Sequence, residues 1–212
     1  MGWGKRQTPS PTTGTPSHSL ENYAEPMAGG AALFFHLAPQ KAILADINPD
    51  LINFYTVLKT NTSTLINRLT SLRASRALYY EMRTRRPTSK MGKAVRFAYL
   101  NRLCWNGLHR VNRKGHFNVP IGDRLPRRLW DPEELCHAAK LLQAARLLNA
   151  DFETTLRHLR RGDFAFIDPP YPKGARKGFG FNRYSSDFFS LEDHRRLGKL
   201  LRGLDRRGVL LM

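Results

Sequence analysis

Cysteine and acid are what this chain is short of. Among 212 residues only Cys104 and Cys136 are cysteines, too few for a disulfide framework or a thiolate zinc site. Both read as ordinary buried thiols of a protein kept in a reducing compartment. The seven histidines show no paired ligand spacing, so no metal is expected. No apolar run approaches the roughly 18 residues of a membrane span, and the first residues lack the apolar segment of a secretion signal. A cytoplasmic protein without membrane attachment is the expectation. Only 17 acidic residues face 35 Lys and Arg, a net charge of +18. That imbalance points to a polyanionic partner, nucleic acid first, although a merely soluble basic protein has the same balance. At this length the chain holds one α/β domain with room for a small insertion.

The chemistry-bearing stretch is Gly162 to Tyr171, GDFAFIDPPY. Phe164 to Ile167 is too short an apolar run for a helix and reads as a buried strand. Pro169 and Pro170 cannot donate to a ladder, so the strand stops and leaves Asp168 and Tyr171 at its carboxyl end. In open α/β sheets, ligands bind at that edge. A carboxylate at Asp168 and the carbonyl of Pro169 can both accept hydrogen bonds from an exocyclic amino group. Together they push its nitrogen toward tetrahedral geometry and aim the lone pair at an electrophile. Tyr171 offers a flat face for an extruded base. The plain alternative is a strand ending in a Pro-Pro turn with a surface tyrosine.

Residues 1–20 contain the Pro/Ser/Thr-rich run Gln7 to Ser19 and read as a disordered leader or fragment edge. A strand up to Glu25 then gives way to the small-residue turn Met27-Ala28-Gly29-Gly30 and an apolar helix, where glycine lets backbone approach a ligand. Lys41 to Ile47 reads as a second buried strand ending in Asp46. This acid lies 17 residues beyond Gly29, near the roughly 20-residue offset at which an acid meets ribose hydroxyls in nucleoside-cofactor folds. An N-cap or Asx-turn before Pro49 is the plain alternative for Asp46. A helix follows through Lys59.

Residues 60–128 are dense in Arg and Lys, interleaved with Tyr99, Asn101, Trp105, Asn106 and Asn112. Phosphate contacts plus a few base-reading side chains have this composition. Arg110 can fork onto a guanine, Asn106 or Asn112 can pair with a base edge, and Trp105 can wedge into a stack. Most of the cations, one by one, read as a solvated face. Pro132 to Ala150 reads as an amphipathic helix started by Asp131, Asn149 to Phe152 as a strand end, and Thr154 to Arg160 as a short helix. Pro172 to Arg183 reads as a mobile flap. Leu191 to Leu204 reads as a helix begun by a Ser190/Asp193 capping box, with a strand from Val209.

Taken in order, EPMAGGAALFF (25–35), LADINPDLINFY (44–55), YLNRLCWNGLHRVNRKGHFNVPIG (99–122), GDFAFIDPPY (162–171) and FFSLEDHRRLGKLL (188–201) resemble the Dam-type, D12 class DNA adenine-N6 methyltransferases. The resemblance covers nearly everything from Tyr23 to Met212. It implies an α/β fold, a Rossmann-like S-adenosylmethionine-dependent methyltransferase sheet with a helical DNA-recognition insertion. Residues 21–59 and 129–212 would form the catalytic domain and 60–128 the target-recognition insertion. The cofactor implied is S-adenosylmethionine, held by Glu25, Pro26, Ala28, Gly29, Gly30, Asp46, Ile47, Asp151, Phe152 and Asp168. Asp168, Pro169, Pro170 and Tyr171 would take the flipped adenine. Double-stranded DNA is the implied partner, met by Trp105, Asn106, Leu108, Arg110, Asn112, Asn118 and Pro120. Trp105 stands where the family commonly has tyrosine.

The recognition segment is close to that of GATC-methylating relatives, so GATC is the expected site, and the expected setting is a cytoplasmic, nucleoid-associated monomer encoded by a bacterium, an archaeon or a phage. Family members open with Trp-x-Gly-Gly-Lys, whereas Trp3-Gly4-Lys5 is spaced differently and is not carried over. The hairpin that follows the last strand in the family is not in this sequence. From these ends comes the alternative of a catalytically impaired DNA-binding remnant. An RNA or protein amine methyltransferase is a second rival, with the insertion against it.

Overall fold

In the computed structural model, which describes residues 22–112, 114–170 and 189–212, a parallel sheet carries the chain. The described residues contribute five strands: β1 (Tyr23–Glu25), β2 (Ala42–Asp46), β3 (Ala145–Asn149), β4 (Phe164–Ala165) and β5 (Leu210–Leu211). Their order is β3-β2-β1-β4-β5, all parallel. The chain therefore winds outward from β1 in one direction and then returns to wind in the other. The crevice between β1 and β4 is the place where the order reverses, and doubly wound sheets bind ligands there. The sheet and its helices form the Rossmann-like α/β fold expected of the sequence.

Side-chain alternation along the central strand loads both faces. Tyr23 enters one core with Phe34, Leu44, Tyr55 and Leu58. Ala24 enters the other with Phe152, Leu156, Ala165, Leu197 and Leu204. The first face is covered by α1 (Ala32–Leu37), α2 (Pro49–Thr60), α3 (Thr62–Thr70), the start of α5 (Lys90–Leu103) and α6 (Pro132–Leu141). The second is covered by α7 (Phe152–Leu156) and α8 (Leu191–Arg206). Helix starts follow local chemistry. Asn48 accepts from the amides of Asp50 and Leu51 with Pro49 behind it, and Asp131 accepts from Glu133 with Pro132 behind it. Ser190 and Asp193 close the expected capping box reciprocally.

Two expectations are corrected. The helix expected over Pro132 to Ala150 ends at Leu141, and after a tight turn over Leu142–Ala144 the chain becomes β3. Ala145 to Asn149 pair residue for residue with Ala42 to Asp46, so ladder bonds to β2 override the helix propensity of a Leu/Ala/Arg run. The next helix accordingly spans Phe152–Leu156, earlier than the expected Thr154 to Arg160.

In the segment 60–128, α3 and the start of α5 pack through Leu65, Leu69, Ala94 and Ala98 into the same core as the sheet. A separate core begins with α4 (Arg76–Thr84), where Tyr79 and Met82 meet Tyr99, Leu103, Phe117, Val119 and Ile121. Backbone bridges Cys104–Ile121 and Val111–Phe117 fold residues 104–121 into an irregular hairpin on this second core. Among the described residues no helix is long and apolar enough to cross a membrane.

Candidate active site

At the carboxyl end of β1, Glu25 is 2% exposed. Its Oε1 accepts from the Tyr23 hydroxyl and, at 2.8 Å, from the amide of Phe34. The carboxylate thereby takes one of the amides at the start of α1, which the sequence reading left for a ligand. Burial pushes the Glu25 carboxyl above its usual range, the bonds from Tyr23 and Phe34 oppose that rise, and the charge of Asp168 adds to it. Tyr23, desolvated and facing Glu25, is pushed well above the usual phenol range.

The turn that follows is tied to both neighbouring elements. Pro26, Ala28 and Ala31 are buried, whereas Gly29 and Gly30 are exposed. Gly29 has φ +46°, a conformation suited to glycine. Its amide donates to Asp46 Oδ2 at 3.0 Å, and its carbonyl accepts from the Tyr55 hydroxyl at 2.8 Å. A Cβ built on Gly29 or Gly30 meets nothing within 4 Å, so this backbone faces open ground beside the strand ends.

Asp46 closes β2. Its other oxygen accepts from Asn48 N at 2.8 Å, the Asx-turn of the plain reading, while Asn48 is the N-cap of α2. Asp46 is half-buried and Ile47 is 77% exposed. From β3, Asn149 donates to the carbonyls of Asp46 and Ile47, locking two adjacent strand ends together. Asp151 caps α7 through Glu153 N. Phe152 is buried against Phe189 and lies under the Arg196 guanidinium, 4.9 Å from its ring centre. Arg196 also pairs with Asp151, Glu153 and Asp193 at 2.8–3.0 Å. Its bonds, first among the causes, hold Glu153 below the usual carboxylate range.

Across the crevice, Phe166 N donates to Ala24 O and Ile167 N to Met212 O, so the alignment of β4 continues to the residue before Asp168. Asp168 and Pro170 are exposed and Pro169 is half-buried. Asp168 is close enough to Glu25 to perturb its carboxyl. Glu25, Gly29, Asp46 and Asp168 thus come to one strip of the sheet edge. Tyr171 lies outside the described residues, as do the 1–20 leader with Trp3 and Lys5, the 172–183 flap and Arg113.

The basic segment approaches the same edge. His109 sits between Phe97 and Phe117, and burial lowers its proton affinity against the opposing charges of Asp50 and Asp46. Beside it, Arg110 donates through Nε to Asn118 Oδ1 at 2.8 Å, which leaves the terminal nitrogens for an end-on fork. The carbonyl oxygen of Asn112 accepts from the amides of Lys114 and His116 and shapes the hairpin turn. Asn106, in the left-handed region, is exposed, as are Trp105 (37%) and Leu108 (41%). Pro120 receives the Trp105 amide on its carbonyl. Among the described residues no cluster of His, Cys, Asp and Glu is arranged to hold a metal.

Sequence reasoning missed Tyr23, Tyr55, Asn149 and Arg196. Tyr23 was within reach, since residues two apart on a strand share a face. The other three act across 26 to 103 residues of chain and leave no local signal.

A family profile described as D12 class N6 adenine-specific DNA methyltransferase matches residues 13–211. The chain is 35% identical to Type II methyltransferase M.MjaIII of Methanocaldococcus jannaschii, over 92% of this chain and 73% of that protein. It is 35% identical to Type II methyltransferase M1.LlaDCHI of Lactococcus lactis subsp. cremoris, over 99% of this chain and 77% of the relative. Against the DNA adenine methylase of Escherichia coli K12 the identity is 32%, over 89% and 69%.

Proposed function

Because the chain belongs to the D12 class of N6 adenine-specific DNA methyltransferases, we propose that it methylates N6 of an adenine extruded from duplex DNA, within GATC, using S-adenosylmethionine. The observation that carries this reading is the convergence of Asp168 with the Glu25–Gly29–Asp46 loop at the crevice between β1 and β4. The loop suits the cofactor on two grounds. Gly29 and Gly30 present backbone without side chains to open space, and the Asp46 carboxylate stands half-exposed beside them for ribose hydroxyls. S-adenosylmethionine supplies an electrophilic methyl group on a sulfonium.

The protein's part is then positional. Asp168 and the Pro169 carbonyl accept the two N6 hydrogens, which localises the nitrogen lone pair and points it across the crevice. Exposed as it is, Asp168 acts as a hydrogen-bond acceptor rather than a strong base; the N6 proton leaves once the nitrogen has become cationic. Tyr171, three residues beyond Asp168 in the sequence, is the side chain we assign to stacking on the base. Arg110, braced by Asn118, reads a guanine, and Trp105 fills or wedges the stack.

Methyl-labelled S-adenosylmethionine incubated with a GATC duplex and a scrambled duplex tests the reading. Label in the GATC duplex alone is the expected result. Equal label in both removes the assignment of GATC, and none in either removes the catalytic reading.

A further inference from the structure

On the second core, α3, the end of α4 and the start of α5 border an open cavity of about 380 Å³. Its wall carries Arg68, Arg85, Arg86 and Arg96, with Met82 and Pro87 among the apolar lining, and no acidic side chain lines it. Two of these arginines are held by the last turn of α4. Arg96 donates to the carbonyls of Met82 and Arg83, and Arg86 donates to those of Arg83, Thr84 and Arg85. Those bonds use part of each guanidinium and fix its direction while leaving further N–H groups. Arg85 pairs with Glu81 on the exposed flank. Arg68 makes no side-chain hydrogen bond to the described residues.

Four guanidiniums gathered around one hollow repel one another, and half-buried Arg96 loses proton affinity to burial and then to the charge of Arg86. Asp50 opposes this from the start of α2 without lining the cavity. Glu81 answers Arg85 and Asp50 acts on Arg96, whereas Arg68 and Arg86 have no carboxylate partner among the described residues. Arg96 also acts electrostatically on His109, in the recognition segment.

Resting on the duplex-DNA reading above, we propose that this arginine cavity binds a backbone phosphate of the duplex flanking the target base. A phosphodiester brings anionic oxygens for the forked donors that Arg68, Arg86 and Arg96 have left over and carries no base identity. The cavity would fix the register of the protein on DNA, while Arg110 reads sequence.

Duplex binding is measured as a function of salt for the full chain and for Arg68→Gln, Arg86→Gln, their double variant and Arg206→Gln. Arg206 is exposed in the last turn of α8, beside the amino end of β5, and serves as the charge-matched control. In the double variant the slope of log K against log salt should flatten by about 0.9, the value for one phosphate. GATC and scrambled duplexes should weaken alike. Arg206→Gln should leave the slope alone. An unchanged slope in the double variant, or equal flattening in the control, overturns the phosphate site while leaving the enzyme reading intact. Failure of the unaltered protein to bind duplex at all overturns both.

Discussion

Replacing Tyr23 with Phe deletes one hydroxyl from the junction of β1 and α1. Tyr23 is 1% and Glu25 2% exposed, so no solvent is at hand to replace the lost donor. Glu25 Oε1 keeps the Phe34 amide at 2.8 Å. When Glu25 is protonated, the loss is that of a neutral hydrogen bond, about 1 kcal/mol. When it is ionised, a buried carboxylate loses a charge-assisted bond, and the loss grows to about 2–3 kcal/mol.

The direction with pH follows from linkage. Burial has already raised the folded carboxyl, and the Tyr23 bond is the first of the effects holding it down. Removing that bond raises it further. A folded value above the unfolded value of about 4.3 means stability present at low pH and lost as pH rises through the folded value. The Tyr23→Phe penalty should therefore be about 1 kcal/mol where Glu25 is protonated and widen by about 1–2 kcal/mol as pH rises through its raised folded value. In a chain of this size each kcal/mol is about 2–4 °C in Tm. Urea unfolding at several pH values, with unchanged m, reads the difference directly. Adding Glu25→Gln to the variant should flatten its pH dependence. A Tyr23→Phe penalty that stays constant across the whole titration of Glu25 would falsify the coupling of these two groups.

Three further outcomes are expected. Asp168→Ala should lower methyl transfer about 10²–10³-fold in single turnovers with duplex affinity retained; near-normal turnover would remove its role. Arg110→Ala should cost about 1–3 kcal/mol of discrimination at one base pair, so competition between GATC and scrambled duplexes should level, whereas a uniform loss across sequences would make Arg110 a phosphate contact. Arg196→Met should lower Tm most at low ionic strength, since its three ion pairs are partly exposed. The deficit should shrink from about 0.1 M to 1 M salt, as the screening length falls from roughly 10 to 3 Å, and a salt-independent deficit would instead assign its effect to packing on Phe152.

Much of the fold was legible because local chemistry agrees with tertiary need. Asp131-Pro132 and Ser190-Leu191-Glu192-Asp193 start helices by their own side chains, and Ala42 to Asp46 is a strand too apolar to be anything exposed. β3 was not legible. Ala145 to Asn149 continues a helix-favouring run, and only the ladder offered by β2 makes it a strand. The candidate site shows the same division. Asp46 and Asp168 announce themselves by ending apolar runs, Asp46 at a cofactor-like spacing from Gly29 and Asp168 before two prolines. Tyr55 reaches Gly29, and Arg196 reaches Asp151, through folding alone. The boundary at residue 60 reads a change in composition, whereas α3, polar outside with Arg68 its one cation, buries Leu65 and Leu69 with the sheet.

The reversed winding of the sheet also sets an order of assembly. β1 lies between β2 and β4, and its register with β4 is sealed by Asn22 donating to Asp163 across 141 residues of sequence. During synthesis, β1, β2 and β3 with the intervening helices can associate while the strand leading to Asp168 is still unmade. Until it arrives, one edge of β1 has open hydrogen-bonding groups and the Ala24 face is bare, a sticky intermediate of high contact order. The strand leading to Asp168 thus joins the nascent sheet only after β1, β2 and β3, with β5 following it on its outer edge, and pulse-labelled amides of β2 should gain protection before those of Phe166 and Ile167.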